Sequence, residues 1–258
     1  MKLLKNIMKY APTLLILVAL LTGCGVTSNT TVTAANGGDG KITVKCPEAR
    51  LYLPDYPSPS DREAFFNDSL LYRKSYALRD SERGIQAIND ARTDISYYLQ
   101  RFGAAMGVNL SKSGTPAIAK YLKTAYNFAR DGISTAKKSF SRQRPYSYFQ
   151  EGSAVPEDEG PVVAFLSYPS GHTVRAWTIA LALVAIDDVS CNEVIKVALE
   201  IGESRIIAGF HYASDVEAAR MSASVSFAKI ISDPEFAELM RRARSELDSL
   251  RASAVKSE

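Results

Sequence analysis

The sequence holds two histidines and three cysteines in 258 residues. Outside the histidine clusters described below, no His, Cys or carboxylate group has metal-ligand spacing, so no metal cofactor is expected. Long hydrophobic runs are missing too. Leu14–Leu21 and Ala176–Ile186 both fall short of the ~20 apolar residues that cross a bilayer. Charge of one sign is not in excess. Formal net charge is +3, and Lys2, Lys5 and Lys9 sit in a first segment without an acid. The remaining 28 basic residues face 28 acidic ones, a balance that argues against general nucleic-acid binding. With 46% hydrophobic and 23% charged residues, neither a disordered nor a fibrous class is indicated. No strand-like run of any length and no internal repeat appears, which points to an all-α fold.

Three segments follow from this pattern. Residues 1–23 start basic (MKLLKNIMK), continue through the short apolar run and end in Leu21-Thr22-Gly23 before Cys24. That is the layout of a secretory signal. Its ending resembles a bacterial lipobox, in which Cys24 is lipidated and becomes the new N-terminus. Acyl chains there would anchor the protein to a membrane. Gly25 stands where an Asp would favour inner-membrane retention, so the resemblance implies a periplasmic protein held at the outer membrane. Residues 24–50, rich in Thr, Ser, Asn, Ala and Gly in their first part, read as a flexible tether. Residues 51–258 read as one helical domain. An oxidising compartment would allow Cys46 and Cys191 to pair, but their separation in sequence does not decide it.

Within the domain, Ser60 and Glu63 form a capping-box signature ahead of a first helix. A second helix is expected over residues 81–107, with Gly84 as its weak point. Thr115-Pro116 opens a third that reaches Phe140. Residues 145–168 have no sustained period and form a long loop, of the kind usually tied to function. Ser170 opens a segment apolar nearly all round, expected as a buried central helix over 171–188. A helix over 192–207, one from Asp215 behind a Ser214/Glu217 capping box, and one from Pro234 to Leu250 complete the bundle.

Both histidines sit at helix ends. Pro169-Ser170-Gly171-His172 precedes the central helix, where free backbone N–H groups and the positive end of the dipole favour an anion. Gly171 lets the backbone approach an oxyanion, Ser170 adds a hydroxyl, and His172 can protonate a leaving oxygen. At the second cluster, Arg205 lies before His211, and Asp215 follows four residues on. A carboxylate at that spacing can fix one imidazole tautomer, leaving the other nitrogen as a nucleophile. Arg205 offers a planar fork for phosphate oxygens. A third cluster, Ala136-Lys137-Lys138-Ser139-Phe140-Ser141-Arg142-Gln143-Arg144-Pro145, is basic; taken alone, it reads as a solvated helix end.

Together the three clusters resemble the phosphatidic acid phosphatase type 2 superfamily: Lys, six residues, Arg-Pro; then Pro-Ser-Gly-His; then Ser-Arg, five residues, His, three residues, Asp. Within that superfamily the chain resembles the class A bacterial non-specific acid phosphatases, through YLP near residue 51, FFND near 65 and SDVEAAR after His211. The resemblance implies an acid phosphatase/vanadium haloperoxidase-like helical bundle. It also implies metal-independent hydrolysis of small-molecule phosphate monoesters over a broad substrate range. In that scheme His211 attacks phosphorus, Asp215 orients it, and His172 protonates the leaving alcohol and then activates water. Lys137, Arg144, Ser170, Gly171 and Arg205 hold the phosphate oxygens, no cofactor is needed, and vanadate inhibits as a phosphate mimic. Rival activities sharing the pattern are lipid or diphosphate hydrolysis at the membrane and vanadium-dependent halide oxidation; a homo-oligomer stays open.

Overall fold

The computed structural model describes residues 41–255, with side chains to residue 253. The expected signal segment, Cys24 and residues 24–40 of the tether lie outside the described residues. Among those described are nine α-helices, three short 3-10 turns and no strand. They are α1 (Arg62–Tyr76), α2 (Glu82–Asn89), α3 (Ile95–Met106), α4 (Pro116–Phe140), α5 (Pro145–Tyr148), α6 (Gly171–Val184), α7 (Cys191–Ile207), α8 (Ala213–Ile230) and α9 (Pro234–Val255). No helix among the described residues is long and apolar enough to cross a membrane.

The centre of the bundle is α6, packed against α4, α7 and α8. Val174, Ile179 and Leu183 are fully buried, as are Ala176, Ala180 and Ala182. Small residues let three helices close on α6 at once, while each large aliphatic side chain contributes about 1.5–3 kcal/mol through burial. The 25-residue α4 is about 37 Å long at 1.5 Å per residue. Ile118, Leu122, Ala125, Ala129, Ile133 and Ala136 recur along it at three- and four-residue steps, all buried. That periodicity turns Lys137, in the last turn, towards the N-terminal end of α6.

Helix boundaries depart from the sequence reading where a different side chain caps. Asp61, not Ser60, caps α1 by accepting from Ala64 N at 3.2 Å. The stretch over 81–107 breaks at 90–94 rather than at Gly84, because Asp94 accepts from Tyr97 N and starts α3 afresh. Thr115 does not cap α4; its hydroxyl donates to Ser111 O, and Glu246 of α9 accepts from Ile118 N instead. In place of Ser214/Glu217, Asp215 caps α8 by accepting from Tyr212 N at 2.8 Å. The 145–168 loop contains α5 and two 3-10 turns.

The last part of the expected tether is docked. Thr43 donates to Asp233 through both its backbone N–H (2.7 Å) and its hydroxyl (2.8 Å), and Ala49 is fully buried. The two described cysteines are free. Cys46 donates to Ser226 Oγ (3.4 Å), while Cys191 donates to Asp187 O at the start of α7 (3.1 Å).

Candidate active site

Four helix ends and the 145–168 loop meet at one place. The end of α4 brings Lys137, the N-cap of α5 brings Arg144, and the start of α6 brings Ser170, Gly171 and His172. The last turn of α7 supplies Arg205, and the α7–α8 turn supplies His211, with Asp215 in the first turn of α8. The α7–α8 turn is possible because Gly209 adopts φ +86°, a left-handed conformation that ends α7 and throws His211 back over it.

His211 is 1% exposed. Arg144 Nη1 lies 3.0 Å from its Nε2. A guanidinium has no acceptor, so Nε2 holds the lone pair and the proton is on Nδ1. Nδ1 faces Asp215 Oδ2 at 3.5 Å, a close charge contact without an aligned hydrogen bond. Burial first, then the charges of Arg144, Lys137 and Arg205, hold the imidazole well below its ordinary pKa. A neutral ring that keeps a lone pair on Nε2 is what nucleophilic attack requires, once an incoming anion draws the Arg144 N–H away.

His172 has the opposite tautomer. Its Nε2 lies 2.9 Å from Ala91 O, a pure acceptor, so Nε2 carries the proton and Nδ1 the lone pair. Burial and then Arg205 depress its pKa well below the usual value. In that state it is a base; to act as an acid it must gain a proton as phosphate charge arrives.

The cations differ in what they have left to give. Lys137 Nζ donates to Leu166 O (2.8 Å) and Pro169 O (2.5 Å), leaving one proton free. Burial, then repulsion from Arg144, lowers its pKa to about 7. Arg144 is spent on Val163 O, Phe210 O, Leu166 O and His211, again leaving one N–H. Arg205 differs: 1% exposed, it has no partner at Nε or Nη1 and rests its guanidinium 4.7 Å from the Phe210 ring centroid. Burial lowers its pKa to about 10, so it stays charged at neutral pH. A buried guanidinium with free donors is costly unless an anion completes it.

Ser170 caps α6 by accepting from Thr173 N (3.3 Å) and Thr173 Oγ1 (2.9 Å), so its own hydroxyl proton is free to donate. A Cβ added at Gly171 would meet nothing nearer than Lys137 Cε at 4.0 Å, so the space beside that backbone is open. All eight residues singled out in the three clusters converge here. The arrangement has the chemistry to hold an anion beside the lone-pair nitrogen of His211.

A family profile described as the PAP2 superfamily matches residues 119–233, the span that carries all eight residues. A non-specific acid phosphatase of Providencia stuartii is 35% identical over 188 residues, covering 72% of this chain and 76% of that protein. One from Salmonella typhimurium is 32% identical over 201 residues (78% and 80%), and an acid phosphatase of Zymomonas mobilis is 32% identical over 205 (79% and 77%). This chain belongs to the PAP2 superfamily, among the non-specific acid phosphatases.

Against that family frame, three features were not legible as part of the site. Arg142, grouped with a solvated helix end by its neighbours, is 2% exposed and bridges Asp215 and Asp68. Ser167 donates to Asp215 Oδ2 at 2.6 Å. Ala91, in the break between α2 and α3, holds His172. The signal for Asp68 was its place in the Phe65-Phe66-Asn67-Asp68 segment that carries part of the family resemblance. No group of three or more His, Cys, Asp or Glu side chains among the described residues could hold a metal ion. A groove of about 730 Å³ lined by Leu71, Trp177 and Met221 includes none of the eight residues, though Asp68 and Ser214 stand on its wall.

Proposed function

We propose that this acid phosphatase hydrolyses phosphate monoesters through a covalent phosphohistidine on His211. The observation that carries the reading is Arg205, a fully buried cation whose free donors share one cradle with the lone pair on His211 Nε2. A phosphate dianion would complete Arg205 and take the remaining protons of Lys137, Arg144 and Ser170. Its phosphorus would then face Nε2. Attack forms the N–P bond as the P–O bond to the alcohol breaks, and His172, which takes up a second proton at Nδ1 as the substrate binds, passes that proton to the leaving oxygen. In the second half, His172 takes a proton from water as the oxygen attacks phosphorus and the N–P bond breaks, releasing inorganic phosphate and neutral His211. Asp215 balances the charge that develops on the ring, and the cations stabilise the equatorial oxygens. The residues present fit a mechanism in which side-chain cations do the work often given to a metal.

The test is an aryl phosphate assay with acid quench. Wild type should yield an acid-labile phosphoprotein and turnover, both lost in His211→Ala. Vanadate should inhibit and chelators should not; a strong chelator effect, or full activity of His211→Ala, refutes the mechanism. By the same reading the N-terminal segment directs export and Cys24 carries a lipid anchor, placing the enzyme in the periplasm at the outer membrane. Metabolic labelling with a radioactive fatty acid, lost on Cys24→Ser, tests the anchor.

A further inference from the structure

Behind His211 and Asp215 lie two buried charges that the mechanism above does not use, Arg142 and Asp68. Arg142 Nη1 donates to Asp215 Oδ1 at 2.6 Å, and Nη2 donates to Asp68 Oδ2 at 2.7 Å. The three side chains are each at most 3% exposed. Ser214 ties the row together: its backbone N–H donates to Asp68 Oδ1 (3.0 Å), and its hydroxyl accepts from Arg142 Nη1 (2.7 Å). Pro57 O accepts from Nη2 at 3.1 Å, and the guanidinium lies over the Tyr212 ring, 4.1 Å from its centroid. Three chain segments, at residues 57, 68 and 212–215, therefore converge to fix one arginine that is not among the eight.

Asp215 poses a difficulty for the nucleophile it faces. A carboxylate 3.5 Å from Nδ1 favours the imidazolium, and an imidazolium has no lone pair for phosphorus. An enzyme that works in acid must keep His211 unprotonated there while Asp215 remains charged to meet the transition state. Arg142 occupies the Asp215 oxygen that does not face the ring. It weakens the pull of Asp215 on the resting imidazole without displacing it.

We infer that Arg142, held by Asp68, is a positioning residue that moderates the charge of Asp215 and so keeps His211 nucleophilic at low pH. The inference rests on the proposed role of His211. Other charged or titratable groups face the His211–Asp215 pair: Lys137 from α4, Arg144 from the start of α5, His172 from α6, Arg205 from α7, and the hydroxyls of Tyr168 and Tyr212. These are the same in every variant below, so differences report on Arg142 and Asp68.

The two ends of the row act in opposite directions. Removing the positive charge frees Asp215 and raises the affinity of His211 for a proton. Removing Asp68 leaves Arg142 less compensated and lowers it. The experiment is the acid limb of kcat/KM for an aryl phosphate in Arg142→Gln, Arg142→Lys, Asp68→Asn and wild type. Thermal unfolding checks each fold, and His211→Ala serves as control. In Arg142→Gln the limb should move up by about one pH unit, the low end for a charge at this range. Arg142→Lys, which keeps the charge but not the fork, should hold the wild-type limb at reduced kcat. In Asp68→Asn the limb should move down.

Limbs that stay put in both Arg142→Gln and Asp68→Asn, or move the same way, overturn the inference. A merely structural role would lower kcat without displacing them. If Arg142→Gln does not fold, Asp68→Asn decides, because it leaves the Arg142–Asp215 pair intact. Turnover by His211→Ala would instead sink the phosphohistidine mechanism itself, so the two failures are distinguishable.

Discussion

Lys137 should set the alkaline limit of this enzyme. Its ammonium is buried between two carbonyl oxygens and beside Arg144, and its pKa falls to about 7. The neighbouring arginines stay charged to about 10, and both imidazoles are already neutral, so Lys137 is the group that titrates between pH 7 and 9. The sign is direct. As pH rises through 7 the free enzyme loses the one Nζ proton charge it offers phosphate, and at pH 8 only about a tenth of molecules retain it. At substrate well below KM, kcat/KM should therefore fall about tenfold per pH unit, equivalent to ~1.4 kcal/mol per unit. Bound phosphate restores the charge, because a nearby anion raises an amine pKa by about 1–3 units, so the limb in kcat should lie at higher pH than that in kcat/KM. Lys137→Arg replaces the ammonium by a cation that does not titrate in this range. Its KM should rise, since the larger head must fit between Leu166 O and Pro169 O, but the alkaline limb should vanish. Exposed Lys138 should not restore it in Lys137→Ala. A wild-type kcat/KM flat to pH 9, or an unchanged limb in Lys137→Arg, would refute the assignment.

Arg205→Met should separate function from stability. It removes the free donors of the cradle, and loss of even one such donor costs ~2.7–4 kcal/mol, or about 10²–10³ in rate. It also removes a buried cation without a hydrogen-bond partner at Nε or Nη1, so Tm should rise while activity and vanadate inhibition are lost; a lower Tm counts against this reading. Gly209→Ala should do the reverse of stabilising. The residue has φ +86°, and a Cβ would stand 2.3 Å from Arg79 Nη2. The left-handed conformation alone costs about 1–2 kcal/mol, which for a domain of this size corresponds to a fall in Tm of a few degrees, read by thermal unfolding. An unchanged Tm would mean that the turn does not need glycine.

Much of the fold was legible because helix periodicity and helix caps are local signals. The central helix was readable from its all-round apolarity and the Ser170 cap, and α4 from Thr115-Pro116, although the acceptor for its first N–H groups is Glu246, across 128 residues of chain. What misled was the stretch over 81–107. Gly84 looked weak, yet it sits inside α2, where a Cβ would come within 1.9 Å of Arg79 O. The break falls instead at Asp90, which a sequence window cannot identify. Its carboxylate is fully buried, accepting from Tyr97 OH and Ser204 Oγ on two other helices, and that tertiary demand overrides local propensity.

The site shows the same division more sharply. Spacing singled out six of the eight residues that converge, because their motifs are short and sit at helix ends whose direction is predictable; Lys137 and Arg144 came from the family resemblance. Spacing could not tell which donors are already in use. Lys137, Arg144 and Arg205 look alike as residue types, yet backbone carbonyls consume most of the first two and leave Arg205 open. Nor could it tell Arg142 from Lys138, four residues apart in one basic run. One is sealed between two carboxylates and the other is exposed. Asp215 illustrates why. It caps α8 and faces His211 at once: Oδ2 accepts from Tyr212 N and Ser167 Oγ while standing beside the imidazole. A carboxylate committed to capping is held rigidly by α8, and rigidity is what an orienting group needs to meet a developing charge without reorganising. On the proposed mechanism the cap is part of the catalytic arrangement, and loosening α8 at Tyr212 should reach the reaction through Asp215.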